Sequence, residues 1–336
     1  MASSLLPLLP ESAITRPMRV AAEEVSGVRP RAASTAARLV VVVPFQNEQA
    51  CLPRLLASID QQTRPPNKLI LVDDGSTDAS LAISERYATE RPWVEVKSLP
   101  RRPKSVDRLA AAHELKAFQW AVEQLDEPWD VVGKLDADLE LNPRHFEHLL
   151  ELFTLDPHLG ITGAHLSDVG KRGKLTRQPS PSWHVHGATK MYRRACYDAI
   201  QPIPHHLGWD MIDGAKARML GWKTLSVSLP GGDTLHLRPT GSYNGRLRGF
   251  MRWGECAWRY GAHPLWILLG VVKRLSWQPY VLGGIFYGVG YVLAAARRLP
   301  RADEEVVTWV RTEEAAEVRS RLRRSGARST RAAEHG

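Results

Sequence analysis

The sequence predicts an α/β fold, with a parallel sheet covered by helices. Two observations predict it. Short β-branched runs alternate with segments of helical periodicity from residue 39 onward, and polar, acid-rich stretches close three of the runs. Strand–helix alternation builds a parallel sheet, and in such sheets ligands sit at the carboxyl ends of the strands.

The elements follow in order. "LVVVV" (39–43) is a continuous apolar run, the pattern of a strand buried on both faces. Leu52, Leu55, Leu56 and Ile59 then recur at i, i+3, i+4 and i+7, one face of a helix. "KLILV" (68–72) is a second buried strand, ended by "DDGSTD". The helix "SLAISERYATE" follows, with Ser76 or Thr77 as candidate cap. "VEVKS" (94–98) is a third strand, Leu115, Phe118, Val122 and Leu125 mark a long helix, and "DVVGKL" (130–135) is the fourth strand. Beyond it lie the helix of "PRHFEHLLELF", the strand "GITGA", a loop "PSWHVHGATKMYRR" and the segment "GWDMIDGAKARMLGWKT".

Composition narrows the function classes. The 336 residues carry a formal charge of +9 and are 43% hydrophobic, enough for a full core and suited to an anionic partner. No nucleic-acid-binding module is recognisable, so nucleic acid is not expected as that partner. Cys51, Cys196 and Cys256 form no C-x-x-C pair, which argues against a disulfide framework or a cysteine zinc site. Residues 1–37 mix Ser, Ala, Pro and Arg without period and read as a disordered lead-in. They lack the basic start and long apolar core of a signal peptide.

The character changes near the C-terminus. "HPLWILLGVV" is too short to span a bilayer, whereas Leu275 to Ala296 is uncharged and meets the spanning length of about 20 residues. Lys273, Arg274, Arg297 and Arg298 flank it on both sides. Trp253, Trp258, Trp266 and Trp277, with Arg246, Arg248, Arg252 and Arg259, suit a basic, aromatic helix at a membrane surface. The expected organisation is therefore a lead-in (1–37), an α/β domain (38–262), a membrane-associated or transmembrane helical segment (263–298) and a charged tail (299–336).

The chemistry concentrates at the strand ends. "KLDADLEL" puts Asp136 and Asp138 one residue apart after the fourth strand. A D-x-D there can hold a divalent cation that also takes phosphate oxygens and water, and the cation can stabilise a departing diphosphate. An EF-hand is not expected, because Leu141 stands where the calcium loop needs glycine. "VDDGSTD" presents two acids that can accept hydrogen bonds from a nucleobase and ribose, with Gly75 permitting the turn.

In this order and spacing, "VVVPFQNE", "LILVDDGSTD" and "KLDADLELNP" resemble the glycosyltransferases of family 2, which have the Rossmann-like GT-A fold. The resemblance runs from about Leu39 to Asp233. It implies an inverting, metal-dependent transfer from a nucleotide-sugar donor to a glycan or lipid-linked acceptor, in cell-surface polysaccharide or glycolipid synthesis at the cytoplasmic face of the cell membrane. It implies that Pro44 and Glu48 line the nucleotide pocket, that Asp73 and Asp74 contact base and ribose, and that Asp136 and Asp138 bind Mg2+ or Mn2+, Asp136 also facing the donor. His236 is a candidate to complete the metal shell. The family places its general base on a helix eleven residues before the glycine of a "GW" pair. Counting back from Gly221 gives Asp210, with Asp213 one turn on as runner-up and Trp209 where Glu is common. Arg252 and Trp253 match part of the Q-x-x-R-W segment of processive synthases, but Gly249 replaces the Gln. A non-catalytic, membrane-bound sugar or nucleotide binder of the same fold is the alternative.

Overall fold

The computed structural model describes residues 37–100, 111–238, 245–276 and 280–316. Apart from Ala37, the expected lead-in lies outside the described residues, as does the part of the expected tail beyond 316.

The chain begins with β1 (Leu39–Phe45), α1 (Leu52–Asp60), β2 (Lys68–Asp73), α2 (Ser80–Ala88), β3 (Val94–Ser98), α3 (His113–Glu123) and β4 (Val131–Leu135). It continues through β5 (Leu139–Glu140), α4 (His145–Leu155), β6 (Leu159–Ala164), β7 (Leu166–Val169), β8 (Leu175–Arg177), β9 (Thr189–Arg193), α5 (Arg194–Ala199), α6 (Trp209–Met219), β10 (Lys223–Val227) and β11 (Thr234–His236). Helices α7 (Arg246–Tyr260), α8 (Pro264–Arg274) and α9 (Leu282–Ala296) follow.

The main sheet has the order β10-β6-β9-β4-β1-β2-β3. Alternation along β1 sends Val41 and Val43 to one face, against α1 and α4 through Leu52, Leu55 and Phe146, and Val40 and Val42 to the other, against α3 through Phe118. Period-two side-chain alternation on a strand covered on both sides produces two such half-cores. The sheet is not wholly parallel: β9 runs antiparallel to both β4 and β6. Its residues belong to the segment expected as a loop. A charged residue in mid-run, Lys190, hides the strand in the sequence, yet all five residues of β9 are buried.

A second sheet, β5-β11-β7-β8, sits at the carboxyl edge of the first. Its β11 pairs antiparallel with β5, placing His236 against Leu139, and parallel with β7, placing His236 level with Asp168. This small sheet carries His236 back to the D-x-D.

The C-terminal helices do not form a separate body. Ile212 and Ala215 of α6 share one apolar cluster with Phe250, Tyr260, Tyr287 and Tyr291. Helices α7 and α9 approach closely through glycines: a Cβ on Gly254 would collide with the Tyr287 carbonyl, and one on Gly290 with the Met251 carbonyl. The uncharged stretch Leu275–Ala296 is not one helix, because α8 has ended at Arg274 and α9 starts at Leu282. Among the described residues no helix is long and apolar enough to cross a membrane. The expected charged tail is also partly folded. Residues 304–316 are helical, and Val306, Val307 and Val310 are buried in the α6–α9 cluster.

Candidate active site

The β1 and β2 ends form one side of the site. Pro44 is buried within β1 opposite Val72. At the end of β2, Asp73 Oδ1 accepts the Ser76 N–H at 2.9 Å, around a turn in which Gly75 has φ +79°. The Asp74 N–H donates to the Phe45 carbonyl at 2.9 Å, tying the two strand ends together. Its Oδ2 lies 3.5 Å from His113 Nδ1 at the start of α3. Asp73 and Asp74 are both buried. Asp73 thus devotes one oxygen to its own turn, and helix α2 starts later than Ser76 or Thr77, with Asp78 Oδ1 accepting the Ser80 N–H at 3.0 Å.

Next comes the D-x-D. Asp136 is paired with Lys134, whose ammonium also donates to the Gly187 carbonyl at 3.1 Å. Burial pulls the Lys134 pKa down, but Asp136 and Glu114 outweigh it and hold the ammonium above its ordinary value. Asp138 Oδ2 lies 3.4 Å from His236 Nε2 and 3.1 Å from Arg238 Nε. Arg238 reaches on to Glu48. His236 Nδ1 is 3.1 Å from Asp168 Oδ1. Burial pulls the His236 pKa down, yet its hydrogen bonds to Asp138 and Asp168 push it up to about 10. Burial likewise raises Asp138, but His236 and Arg238 prevail and lower it. The structure therefore joins the carboxylates of Glu48, Asp138 and Asp168 through one guanidinium, Arg238, and one imidazole, His236. Sequence reasoning missed Lys134, Arg238 and Asp168, although a lysine inside the buried run "DVVGKL" is itself a signal, since lone buried charges are costly.

Helix α6 forms the third side. It starts after Gly208 at φ +85°, and Trp209 packs where a Cβ on Gly187 would press its ring. The Trp209 indole donates to Glu114 Oε1 at 3.1 Å. The Lys134 and Lys190 ammoniums lie 5.5 and 5.3 Å from its ring centroid. Asp210 follows in the first helical turn and remains half-buried. Burial pushes its carboxyl up, but His184, Lys190 and His186, with a backbone hydrogen bond from Gly187, hold it below the usual range. The runner-up, Asp213, is different. It is fully buried, with Lys190 on Oδ1, the Gly214 N–H at 2.5 Å on the same oxygen, and Tyr192 Oη donating to Oδ2 at 2.6 Å. With both oxygens taken inside the core, Asp213 cannot reach an acceptor hydroxyl, and its place is structural. Among the described residues no three His, Cys, Asp or Glu side chains are grouped to hold a metal by themselves.

The model of the family described as "Glycosyl transferase family 2" matches residues 40–209, just over half of the chain. The chain belongs to glycosyltransferase family 2. Over 115 residues it is 34% identical to the undecaprenyl-phosphate 4-deoxy-4-formamido-L-arabinose transferase of Pseudomonas fluorescens (strain Pf0-1), covering 33% of this chain and 30% of that protein. Over 139 residues it is 27% identical to the polyprenol monophosphomannose synthase of Mycolicibacterium smegmatis, covering 41% of this chain and 49% of that protein. The matches thus span about a third to a half of these curated relatives. The solved structure of GalNAc-T7 with UDP, GalNAc and Mn2+ superposes with a TM-score of 0.54 at 16% identity, over 84% of this chain and 57% of that one. The architecture is the GT-A fold of this family, with β9 as its antiparallel strand and the carboxylates of "VDDGSTD" and "KLDADLEL" along one edge.

Proposed function

We propose that this family 2 chain transfers a sugar from a nucleotide-sugar donor to a glycan or lipid-linked acceptor, with inversion at the anomeric carbon. The observation that carries the reading is the meeting of Asp138 and His236, 3.4 Å apart, at the strand edge that also holds Asp73 and Asp74. Both curated relatives are named for polyprenyl carriers, which supports a lipid-linked acceptor and a place at the cytoplasmic face of the cell membrane. Cell-surface polysaccharide or glycolipid synthesis is the setting this suggests.

Each group has a task. Asp73 and Asp74 would hold base and ribose near Pro44 and Glu48, and Asp136 would face the donor sugar. Asp210, whose carboxyl its surroundings hold below the usual range, would take the acceptor hydroxyl proton as the oxygen attacks C1. The bond from C1 to the diphosphate breaks in the same displacement, and the diphosphate leaves towards Arg238.

A Mg2+ or Mn2+ ion fits the donor set. One carboxylate and one imidazole face each other, and the imidazole's far nitrogen is held by Asp168, the arrangement that orients metal-binding histidines. Two protein ligands suffice for a cation completed by phosphate and water. Bound there, it would neutralise charge on the leaving diphosphate. The Mn2+ in the GalNAc-T7 structure supports the same reading.

Calorimetric titration with UDP- and GDP-sugars, with Mn2+ or Mg2+, tests the proposal. We expect metal-dependent binding of one donor, lost in Asp138→Asn. Absence of any donor binding, or an Asp138→Asn protein as active as the parent, would sink it. Binding without turnover would select the non-catalytic alternative.

A further inference from the structure

We propose that the α8–α9 hairpin lies flat in the surface of an anionic bilayer, its outer face among the upper acyl chains. This deepens the membrane placement above and rests on it only for the acceptor. Helix α8 exposes Leu265, Leu268, Leu269 and Val272, and α9 exposes Leu282, Ile285, Val289 and Val292. These residues form one stripe on each helix, spaced by three or four. Their opposite sides are packed: Gly284 of α9 abuts the Val271 carbonyl of α8, and Tyr287 lies against Gly254 of α7. Exposed apolar faces of this extent mark interaction sites.

Charge selects the occupant. From Cys256 to Ala302 the sequence has no acidic residue, while Lys273, Arg297 and Arg298 stand exposed at the ends of the hairpin. A two-fold contact between copies would bring the same face, with the same cations, against itself. An anionic surface is complementary to both features, because it attracts Lys and Arg side chains that lie near it. The helix lengths favour lying over crossing: 15 residues of α9 extend about 22 Å, against a hydrocarbon core of about 30 Å.

The placement has a consequence for the site. Helix α9 packs on α7, and Cys256 of α7 packs on Gly208, the residue capping the helix that bears Asp210. Helix α7 thus links the bilayer-facing layer to the helix that bears the candidate base. An acceptor anchored by its lipid could present its head group there without leaving the membrane.

The test is flotation of the full chain with phosphatidylcholine vesicles, with and without phosphatidylglycerol. We expect binding to the phosphatidylglycerol vesicles, at least tenfold weaker for Leu268→Glu/Ile285→Glu, and weaker for Arg297→Glu/Arg298→Glu. Both pairs of side chains are exposed, so thermal melts should match the parent. Absence of binding, or a Leu268→Glu/Ile285→Glu protein that floats like the parent, overturns the proposal. So does a parent dimer that these substitutions dissociate without any vesicle binding, since a second copy would then own the face. Flotation needs no catalysis. Failed flotation with intact donor binding overturns this inference alone, and intact flotation without donor binding overturns the transferase reading alone.

Discussion

Lys134 and Lys190 stand directly opposite one another on β4 and β9, two ammonium groups buried to within 1% of full coverage. They are kept from repelling destructively by separate carboxylates, Asp136 for one and Asp213 for the other, and by the Trp209 ring that both face. The pair connects the end of β4 to helix α6: Lys134 grips the D-x-D, while Lys190 grips α6 through Asp213 and the Asp210 carbonyl at 2.5 Å. Antiparallel β9 is what makes this link, because it delivers Lys190 and Gly187 beside the end of β4.

Removing one member of the inner pair should therefore be worse than removing both. Lys190→Met leaves the Asp213 carboxylate buried without its cation, and breaking a buried pair in this way costs about 3–5 kcal/mol. Lys190→Met/Asp213→Asn leaves no uncompensated charge, and Asn can still accept from Tyr192. Denaturant midpoints should show the double variant more stable than the single. A silent Lys190→Met would mean that the pair does not fasten α6.

Asp210 and Asp213 are three residues apart on one helix and should fail differently. Asp210→Asn should leave donor affinity near the parent while slowing transfer by about 10²–10⁴-fold, the usual contribution of a positioned base. Asp213→Asn should lose stability first, because it removes the charge opposite Lys190. Thermal melts alongside single-turnover transfer assays separate the two. Equal losses of transfer with no loss of stability in Asp213→Asn would reverse the assignment.

These differences show where the sequence was informative. The alternation from β1 to β4 and the strand-end acids were legible because each rests on local periodicity and on residues within a few positions. Asp210 was singled out only through its spacing from Gly221 in a family pattern. The partners that balance the site were not. Arg238 meets Asp138 across 100 residues, and Asp168 reaches His236 only because β7 and β11 pair. Lys134 was adjacent in the sequence but reads as a solvated flank unless the strand is known to be buried on both faces. The helix boundaries around the uncharged stretch 275–296 were not legible either. Composition alone does not reveal that α8 ends before it, or that Gly283, Gly284 and Gly290 turn one side of α9 into a packing surface.

The Asp168–His236 contact predicts a selective defect. Asp168→Asn keeps the shape but removes the negative charge that holds His236 Nδ1. Loss of such an outer partner lowers metal affinity by about 10–100-fold. Manganese titrations should show that loss, while thermal stability moves little because Asp168 is partly exposed. Unchanged manganese affinity in Asp168→Asn, measured beside a His236→Ala control that abolishes it, would show that Asp168 does not orient the imidazole.

Glu314 predicts a pH dependence in the docking of the C-terminal helix. Its Oε2 accepts the His263 N–H at 2.7 Å, at the start of α8. Burial pushes its carboxyl up to about 7, against the opposing His263 hydrogen bond and Arg311. The folded protein therefore keeps a proton that the unfolded chain releases near 4.5. The stability tied to that proton is fully present below about 4.5 and is lost as pH rises through about 7. Allowing for solvent screening of a partly exposed group, the loss should be about 1–2 kcal/mol. Glu314→Gln retains a carbonyl oxygen for the His263 N–H and cannot ionise. Relative to the parent it should gain stability between pH 5 and 8 in denaturant unfolding. A parent and variant that lose stability in parallel over that range would show that Glu314 is ionised in the fold, with its charge carried by Arg311.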